Sequence, residues 1–222
     1  MITPSFEAFV AFTIAGLTLL LVPGPAVMYI TALGIREGRQ TAVGAAFGLG
    51  VGNFVHAIAA TVGLSAILAS SAFAFSAVKY VGAAYLVFLG IQTLRRRDQH
   101  LAAVKVPRTT ARREFRRGIV VNTLNPKVAI FFLAFVPQFV DAGRGSVAAQ
   151  LFLLGLWFSV LGVFTDAIYG IAAGELGGWI RSRESFQRPI QTISGCTYIF
   201  LGLLAAVSST GRTSLASTVR AK

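Results

Sequence analysis

The sequence Val22-Pro23-Gly24-Pro25 interrupts an apolar stretch that runs over residues 6–35. Proline inside a helix removes one backbone hydrogen bond, and its ring clashes with the carbonyl four residues earlier. Two prolines around a glycine therefore predict that one helix ends here and another begins. In a membrane, the backbone groups freed by such a break must be paired inside the protein or face a water-filled cavity. The motif alone is compatible with a binding site or with a structural kink.

The composition around this motif indicates an integral membrane protein. Of the 222 residues, 55% are apolar and 13% are charged, and the mean hydropathy is +0.72. Soluble domains carry about 25% charged residues. This balance excludes an ordinary soluble enzyme, a disordered chain and a nucleic-acid-binding module. The single cysteine, Cys196, excludes an internal disulfide and a CxxC redox pair.

Six apolar segments are each long enough to cross a hydrocarbon core, which takes about 20 residues. We therefore predict an all-α integral membrane protein of about six transmembrane helices in a single membrane domain, residues 1–222. Its first three-helix half covers 1–94, a basic loop covers 95–117 and a second three-helix half covers 118–222. The predicted segments are 6–35, 41–68, 72–94, 118–140, 147–179 and 189–207.

A second proline break lies at the matching place in the second half. Asn125-Pro126-Lys127 interrupts the fourth segment, and Pro126 follows Pro25 by 101 residues. Because each half has an odd number of spans, the two halves must have opposite orientations. Interrupted helices at matching places in two halves indicate a transporter site between inverted repeats. We therefore expect two inverted three-helix repeats with proline-broken helices 1 and 4, and we favour a binding site at the breaks.

The basic residues predict the orientation in the membrane. Lys and Arg outnumber Asp and Glu by 20 to 8, which gives a net charge of +12. The loops after segments 1, 3 and 5 hold 14 basic residues, and the opposite side holds five. The positive-inside rule then places loop 95–117 in the cytoplasm and both termini outside. We expect this loop to meet anionic membrane lipids rather than nucleic acid.

Three ionisable residues, Lys127, Asp166 and His56, lie away from the ends of predicted spans, where a charge is costly unless it is paired or in water. Lys127 and Asp166 are expected to lie close enough to pair. The alternative for Lys127 is that its amine reaches the membrane surface along its flexible stem. His56 is either a proton carrier or an imidazole that bonds to a neighbouring helix. Asn53 lies three residues before His56, on the same helix face.

Gly44, Gly48 and Gly52 recur at a spacing of four along the second segment. Small residues at this spacing allow another helix to approach closely. We predict a packing role, and the same stripe leaves a homodimer open. The sequence contains no phosphate-binding loop, no zinc-ligand cluster and no Gly-x-Ser-x-Gly elbow, so we predict neither a cofactor nor a metal. The spans hold too few carboxylates, histidines and thiols for a metal-cation exporter.

Together these motifs resemble the LysE-type (lysine exporter, RhtB-like) family of amino-acid efflux proteins. The resemblance implies a multi-pass exporter in the bacterial inner (plasma) membrane. It implies no enzymatic activity and efflux, driven by protons, of amino acids or close derivatives such as homoserine, homoserine lactone, threonine or lysine. The motifs cover nearly the whole chain: Val22-Pro23-Gly24-Pro25, the glycine-rich segment up to His56, Lys79-Tyr80-Val81-Gly82-Ala83-Ala84-Tyr85-Leu86 with Gly90, Phe115, Gly118, Asn122, Asn125-Pro126-Lys127 and Pro137-Gln138-Phe139.

We expect the two breaks to form a central substrate site whose N–H groups and Lys127 hold a carboxylate. Asp166 would face the ammonium or carry the coupling proton, with His56 as the second proton candidate. The two halves would then rock to alternate access. The alternative function is a membrane enzyme or assembly factor acting on lipid, which would need catalytic groups clustered near one interface. The expected substrate-binding residues are Pro23, Gly24, Pro25, Asn53, Asn122, Asn125, Pro126, Lys127 and Asp166.

Overall fold

The computed structural model describes residues 3–70, 72–95, 109–180 and 187–207, and every regular element within these ranges is helical. Residues 96–108 of the predicted cytoplasmic loop, and 208–222 of the C-terminus predicted to lie outside, are beyond the described residues. The helices are α1 (Phe6–Leu21), α2 (Pro25–Glu37), α3 (Arg39–Ser70), α4 (Ala72–Arg95), α5 (Ala111–Thr123), α6 (Pro126–Ile130), α7 (Val147–Ile180) and α8 (Gln187–Val207).

These helices confirm the predicted all-helical membrane architecture with broken first and fourth segments. By length and hydropathy, α3 and α7 are each able to cross a membrane. Helices α1 and α2 form a pair bent by 55°, and α5 forms a second pair, bent by 49°, with the stretch Pro126–Phe139. Both bends lie at the proline motifs, because neither Pro25 nor Pro126 has the N–H that would continue the preceding helix.

Helix α5 begins at Ala111, earlier than the start at Gly118 that the sequence predicts. The Thr110 hydroxyl caps its first turn by accepting a hydrogen bond from the Arg113 N–H at 3.4 Å. Glu114 and Gly118 are buried on the inner face, whereas the arginines of this stretch lie largely on the outer face. Part of the predicted basic loop is therefore helical. A prediction based on continuous apolar segments misses these turns, because their arginines lower the local hydropathy.

The fourth segment is also more irregular than the sequence predicts. After α6, Phe131–Phe135 form a π-helical turn and Val136–Phe139 form a 3₁₀ turn. Pro137 accounts for the change, because it cannot donate the hydrogen bond that an α-helix would make to the Leu133 carbonyl. The wide turn packs Phe131 against Phe158 of α7, with 5.0 Å between the ring centroids, and both rings are fully buried.

The packing of the helices relates the two halves. Helix α3 lies along α7, and α4 lies along α8. Helix α5 packs against α3, while α2 and α1 pack against α7. A two-fold axis that exchanges the halves interchanges segments 1 and 4, 2 and 5, and 3 and 6, and it maps this set of contacts onto itself. The packing agrees with the predicted inverted repeats.

Helix α5 packs closely against the stripe of Gly44, Gly48 and Gly52 on α3. A Cβ added at Gly44 would lie 2.9 Å from the Ala111 carbonyl oxygen, and one added at Gly52 would lie 2.7 Å from the Cβ of Asn122. At Gly48 the added atom would clash with the Phe115 carbonyl. Because α5 of the same chain occupies this stripe, it is not available for the homodimer contact that the sequence had left open.

Candidate functional site

Side chains of the second half bind two of the backbone carbonyls at the break between α1 and α2. In a continuous helix the N–H of residue 25 would bond to the Leu21 carbonyl, but Pro25 has no such group. The Tyr169 hydroxyl of α7 donates to this carbonyl at 2.8 Å. The Lys127 ammonium donates to the Val22 carbonyl at 2.7 Å. The second half therefore stabilises the break in the first.

The break before α6 is stabilised in the reciprocal way. Pro126 removes the N–H that would bond to the Asn122 carbonyl in a continuous helix. The Asn125 N–H meets this carbonyl at 3.0 Å, and so does Nε2 of His56 from α3. Because a carbonyl only accepts hydrogen bonds, Nε2 must be the ring nitrogen that carries the N–H. His56 thus makes the helix-to-helix bond that was one of its two predicted roles; its part in proton transfer stays a prediction.

The residues that serve the two breaks occupy matching positions. Asn53 and His56 are three residues apart on α3, and Asp166 and Tyr169 are three residues apart on α7. In each pair the first residue lines the central cavity, and the second bonds to a carbonyl at the break in the other half. This correspondence supports the inverted repeat at the level of single side chains. The sequence shows this spacing, a polar residue three positions before a hydrogen-bonding ring, and it was noted for Asn53 and His56 but missed for Asp166 and Tyr169.

A small cavity of about 20 Å³ lies between the two breaks. That volume holds about one water molecule. Six of the nine predicted substrate-binding residues line it, whereas Pro23, Pro25 and Pro126 are not among the lining residues. The prolines therefore shape the breaks from outside the cavity. The six predicted residues that line it are Gly24, Asn53, Asn122, Asn125, Lys127 and Asp166.

A chain of amide side chains fixes one wall of this cavity. Asn122 donates through Nδ2 to Oδ1 of Asn53 at 2.6 Å and to the Leu49 carbonyl at 2.7 Å. Its own Oδ1 accepts from Nδ2 of Asn125 at 3.2 Å. All three asparagines are at most 2% exposed. Buried amides that are hydrogen-bonded to each other hold fixed orientations, so this wall presents defined polar groups.

The two buried charges face the same cavity. Lys127 is 6% exposed and Asp166 is 4% exposed. Their opposite charges attract each other, which offsets part of the cost of removing each from water. The bond from Lys127 to Val22 shows that its amine points to the first break and not to the membrane surface, so the surface alternative is wrong. Among the described residues, no three His, Cys, Asp or Glu side chains are placed to hold a metal ion.

The two helix starts at the breaks differ in what they offer an anion. Gly24, the N-cap of α2, has no side chain to cap the helix, and Ala26 and Val27 line the cavity. The first N–H groups of a helix have no intrahelical partner and attract anions. At α6, by contrast, the Lys127 N–H donates to Oδ1 of Asn125 at 3.1 Å. The start of α2 is therefore the better anion site, although the same role was predicted for both breaks.

A second polar cluster joins the halves at the basic end of α5, which is predicted to be cytoplasmic. Glu114 is fully buried, accepts a hydrogen bond from the Tyr29 hydroxyl of α2 and pairs with Arg117 at 2.6 Å. Sequence reasoning missed this cluster because Glu114 lay in the predicted loop. The available signal was an acid three residues before an arginine, which is the spacing of neighbours on a helix face.

Tyr169→Phe is expected to destabilise the break between α1 and α2. The change removes only the hydroxyl, so the Leu21 carbonyl loses this donor at a cost of about 1 kcal/mol. The apparent melting temperature of the purified protein in detergent should fall. Tyr85→Phe is the matched control, because the Tyr85 hydroxyl makes no hydrogen bond among the described residues. Equal melting temperatures for the two variants would show that the Tyr169 bond does not stabilise the break.

Known proteins resemble this chain over most of its length. A model of the family described as LysE type translocator matches residues 17–209. A homoserine/homoserine lactone efflux protein of Salmonella typhimurium is 31% identical over 205 residues, which cover 91% of this chain and 97% of that protein. An uncharacterized membrane protein of Vibrio cholerae serotype O1 is 30% identical, over 91% of this chain and 98% of that protein.

A more distant relative is named for a different amino acid. A leucine efflux protein of Klebsiella pneumoniae is 23% identical over 206 residues, which cover 90% of this chain and 96% of that protein. No solved structure matches this chain.

Proposed function

Because the chain belongs to the family of LysE type translocators, we propose that it exports an amino acid or a close derivative across the bacterial inner membrane in exchange for protons. Relatives named as efflux proteins for homoserine, homoserine lactone and leucine support this class of substrate. The observation that carries the proposal is the presence of a buried cation, Lys127, and a buried anion, Asp166, in one cavity between two broken helices.

The charges of the cavity complement those of an amino acid. A free amino acid carries a carboxylate and an ammonium on the same carbon, so it needs a cation and an anion close together. Lys127 and the uncapped start of α2 would hold the carboxylate, because charge-assisted hydrogen bonds from both can converge there. Asp166 would accept from the ammonium, and the amide wall that includes Asn53 would orient the molecule.

Binding requires the two broken segments to separate. A cavity of about 20 Å³ is far smaller than an amino acid, so α1–α2 and α5–α6 must move apart to admit one. A substrate carboxylate would also compete with the Val22 carbonyl for Lys127. Substrate binding would therefore loosen a contact that joins the halves, which couples occupancy to their relative movement. Entry of the substrate from the predicted cytoplasmic side would also require the hydrogen bond between Tyr29 and Glu114 to break.

Asp166 is the better candidate for the coupling proton. It lines the cavity, whereas Nε2 of His56 is bonded to a backbone carbonyl. A proton arriving on Asp166 would neutralise the carboxylate and release the substrate ammonium. Proton binding and substrate binding would then exclude each other at one group, as exchange requires.

The test is export from intact cells loaded with dipeptides that are hydrolysed to amino acids inside. Intracellular and medium amino acids are followed in cells with and without the protein, at matched membrane levels, with and without a protonophore. We expect faster efflux of one or a few amino acids, and its loss when the protonophore is present. No efflux from inserted protein across the whole panel would contradict the proposal, and a changed lipid composition in these cells would favour the lipid-acting alternative.

A further inference from the structure

An open cavity of about 730 Å³ lies at the N-terminal end of α5, outside the central site. Tyr29 of α2 and Val120 of α5 contribute to its lining. Its charge comes from four arginines on the first two turns of α5, which are Arg112, Arg113, Arg116 and Arg117.

The four arginines differ in their partners. Arg117 is one-third exposed and is held at 2.6 Å by the buried carboxylate of Glu114. The other three are exposed. The cavity therefore has one arginine fixed in place by the protein fold and three that can turn towards a ligand. A guanidinium group matches a phosphate in geometry, because it can donate two parallel hydrogen bonds.

The outer face of α5 continues from these charges into apolar surface. Arg113, Arg116 and Val120 of α5 and Leu124, the residue directly after its last turn, follow one another at spacings of three or four, so they lie along one side. Val120 is 56% exposed and Leu124 is 74% exposed. From Arg113 to Leu124 the helix rises about 16 Å, roughly the thickness of one leaflet of the hydrocarbon core. One helix face thus presents cations at one end and an uncovered apolar strip below them.

We propose that this surface of α5 binds an anionic phospholipid, with the headgroup phosphate among the arginines and an acyl chain along Val120 and Leu124. The apolar strip favours a lipid over a free phosphate ion, because a soluble ion would make no use of it. Arg117 connects this site to Glu114 and, through it, to Tyr29 on the other half. A bound lipid would therefore act on a contact between the halves.

The test measures lipid bound to the purified full-length protein in detergent. Phosphatidylglycerol is titrated against phosphatidylcholine, and bound lipid per protein is counted by native mass spectrometry. We expect preferential retention of phosphatidylglycerol. Arg113→Gln together with Arg116→Gln should weaken it by about tenfold or more. The double variant Arg36→Gln and Arg39→Gln is the matched control, because it removes the same charge elsewhere, and it should retain the lipid as the wild type does.

Three outcomes would overturn the proposal. They are equal retention of the two lipids, no loss in the Arg113/Arg116 variant, and stabilisation of the protein by inorganic phosphate to the same extent as by phosphatidylglycerol. A further experiment uses only the wild-type protein, so its result does not depend on whether the variants fold. Since salt screens charges, raising its concentration from about 0.1 M to about 1 M should weaken phosphatidylglycerol binding. An unchanged affinity would likewise contradict the proposal.

Discussion

Export is expected to fall by at least about tenfold when either buried charge of the central cavity is removed, by Lys127→Met or by Asp166→Asn. Each change removes one charge-assisted hydrogen bond to the substrate, which contributes about 1.5–3 kcal/mol, and about 1.4 kcal/mol corresponds to a factor of ten. Lys127→Met also removes the donor to the Val22 carbonyl. The measurement is the initial export rate per molecule of inserted protein.

The controls for these variants separate binding from coupling. Arg36→Gln removes an exposed cation at the end of α2, away from the cavity, and should export at the wild-type rate. Exchange of labelled for unlabelled substrate, measured without a proton gradient, reports binding and movement alone. If Asp166 binds the ammonium, Asp166→Asn loses exchange as well as net export; if it only carries the proton, exchange survives. Wild-type export by well-inserted Lys127→Met and Asp166→Asn proteins would show that the substrate site lies elsewhere.

Gly48→Ala is expected to disrupt the packing of α3 against α5. The added Cβ would clash with the Phe115 carbonyl, and a backbone atom cannot turn aside as a side chain can. Overpacking of this kind costs about 1–3 kcal/mol or more, so the yield of monodisperse protein and its apparent melting temperature should both fall. Because α5 leads to the amide wall of the cavity, export should fall with them.

Gly63→Ala is the matched control on the same helix. A Cβ at Gly63 meets no atom within 4 Å among the described residues. Alanine also favours helix over glycine by about 1 kcal/mol, so this variant should be at least as stable as the wild type. If the Gly48 and Gly63 variants give the same yield and melting temperature, then the approach of α5 to α3 is less close than the structure shows.

Several features of this protein follow from local sequence alone. A run of apolar residues long enough to cross a bilayer predicts a span wherever it occurs, and a proline breaks a helix whatever its surroundings. The two breaks, the apolar spans and the small stripe on α3 could therefore be predicted, whereas the first turns of α5 and the irregular turns after α6 could not. The burial of Lys127 was the expected one of two outcomes, because a lysine inside an apolar run avoids an isolated charge in lipid either by pairing inside the protein or by reaching the membrane surface.

The partners at the breaks could not be predicted, because they come from distant parts of the chain. Lys127 and Val22 are 105 positions apart, and Tyr169 and Leu21 are 148 positions apart. The local spacing at Tyr169 and at Glu114 does not indicate which partner each residue meets, the Leu21 carbonyl for Tyr169 and Tyr29 of α2 for Glu114. Only the tertiary structure decides these contacts. A carbonyl or a charge inside the membrane must be paired within the protein, and the packing of the helices determines which partner lies within hydrogen-bonding distance.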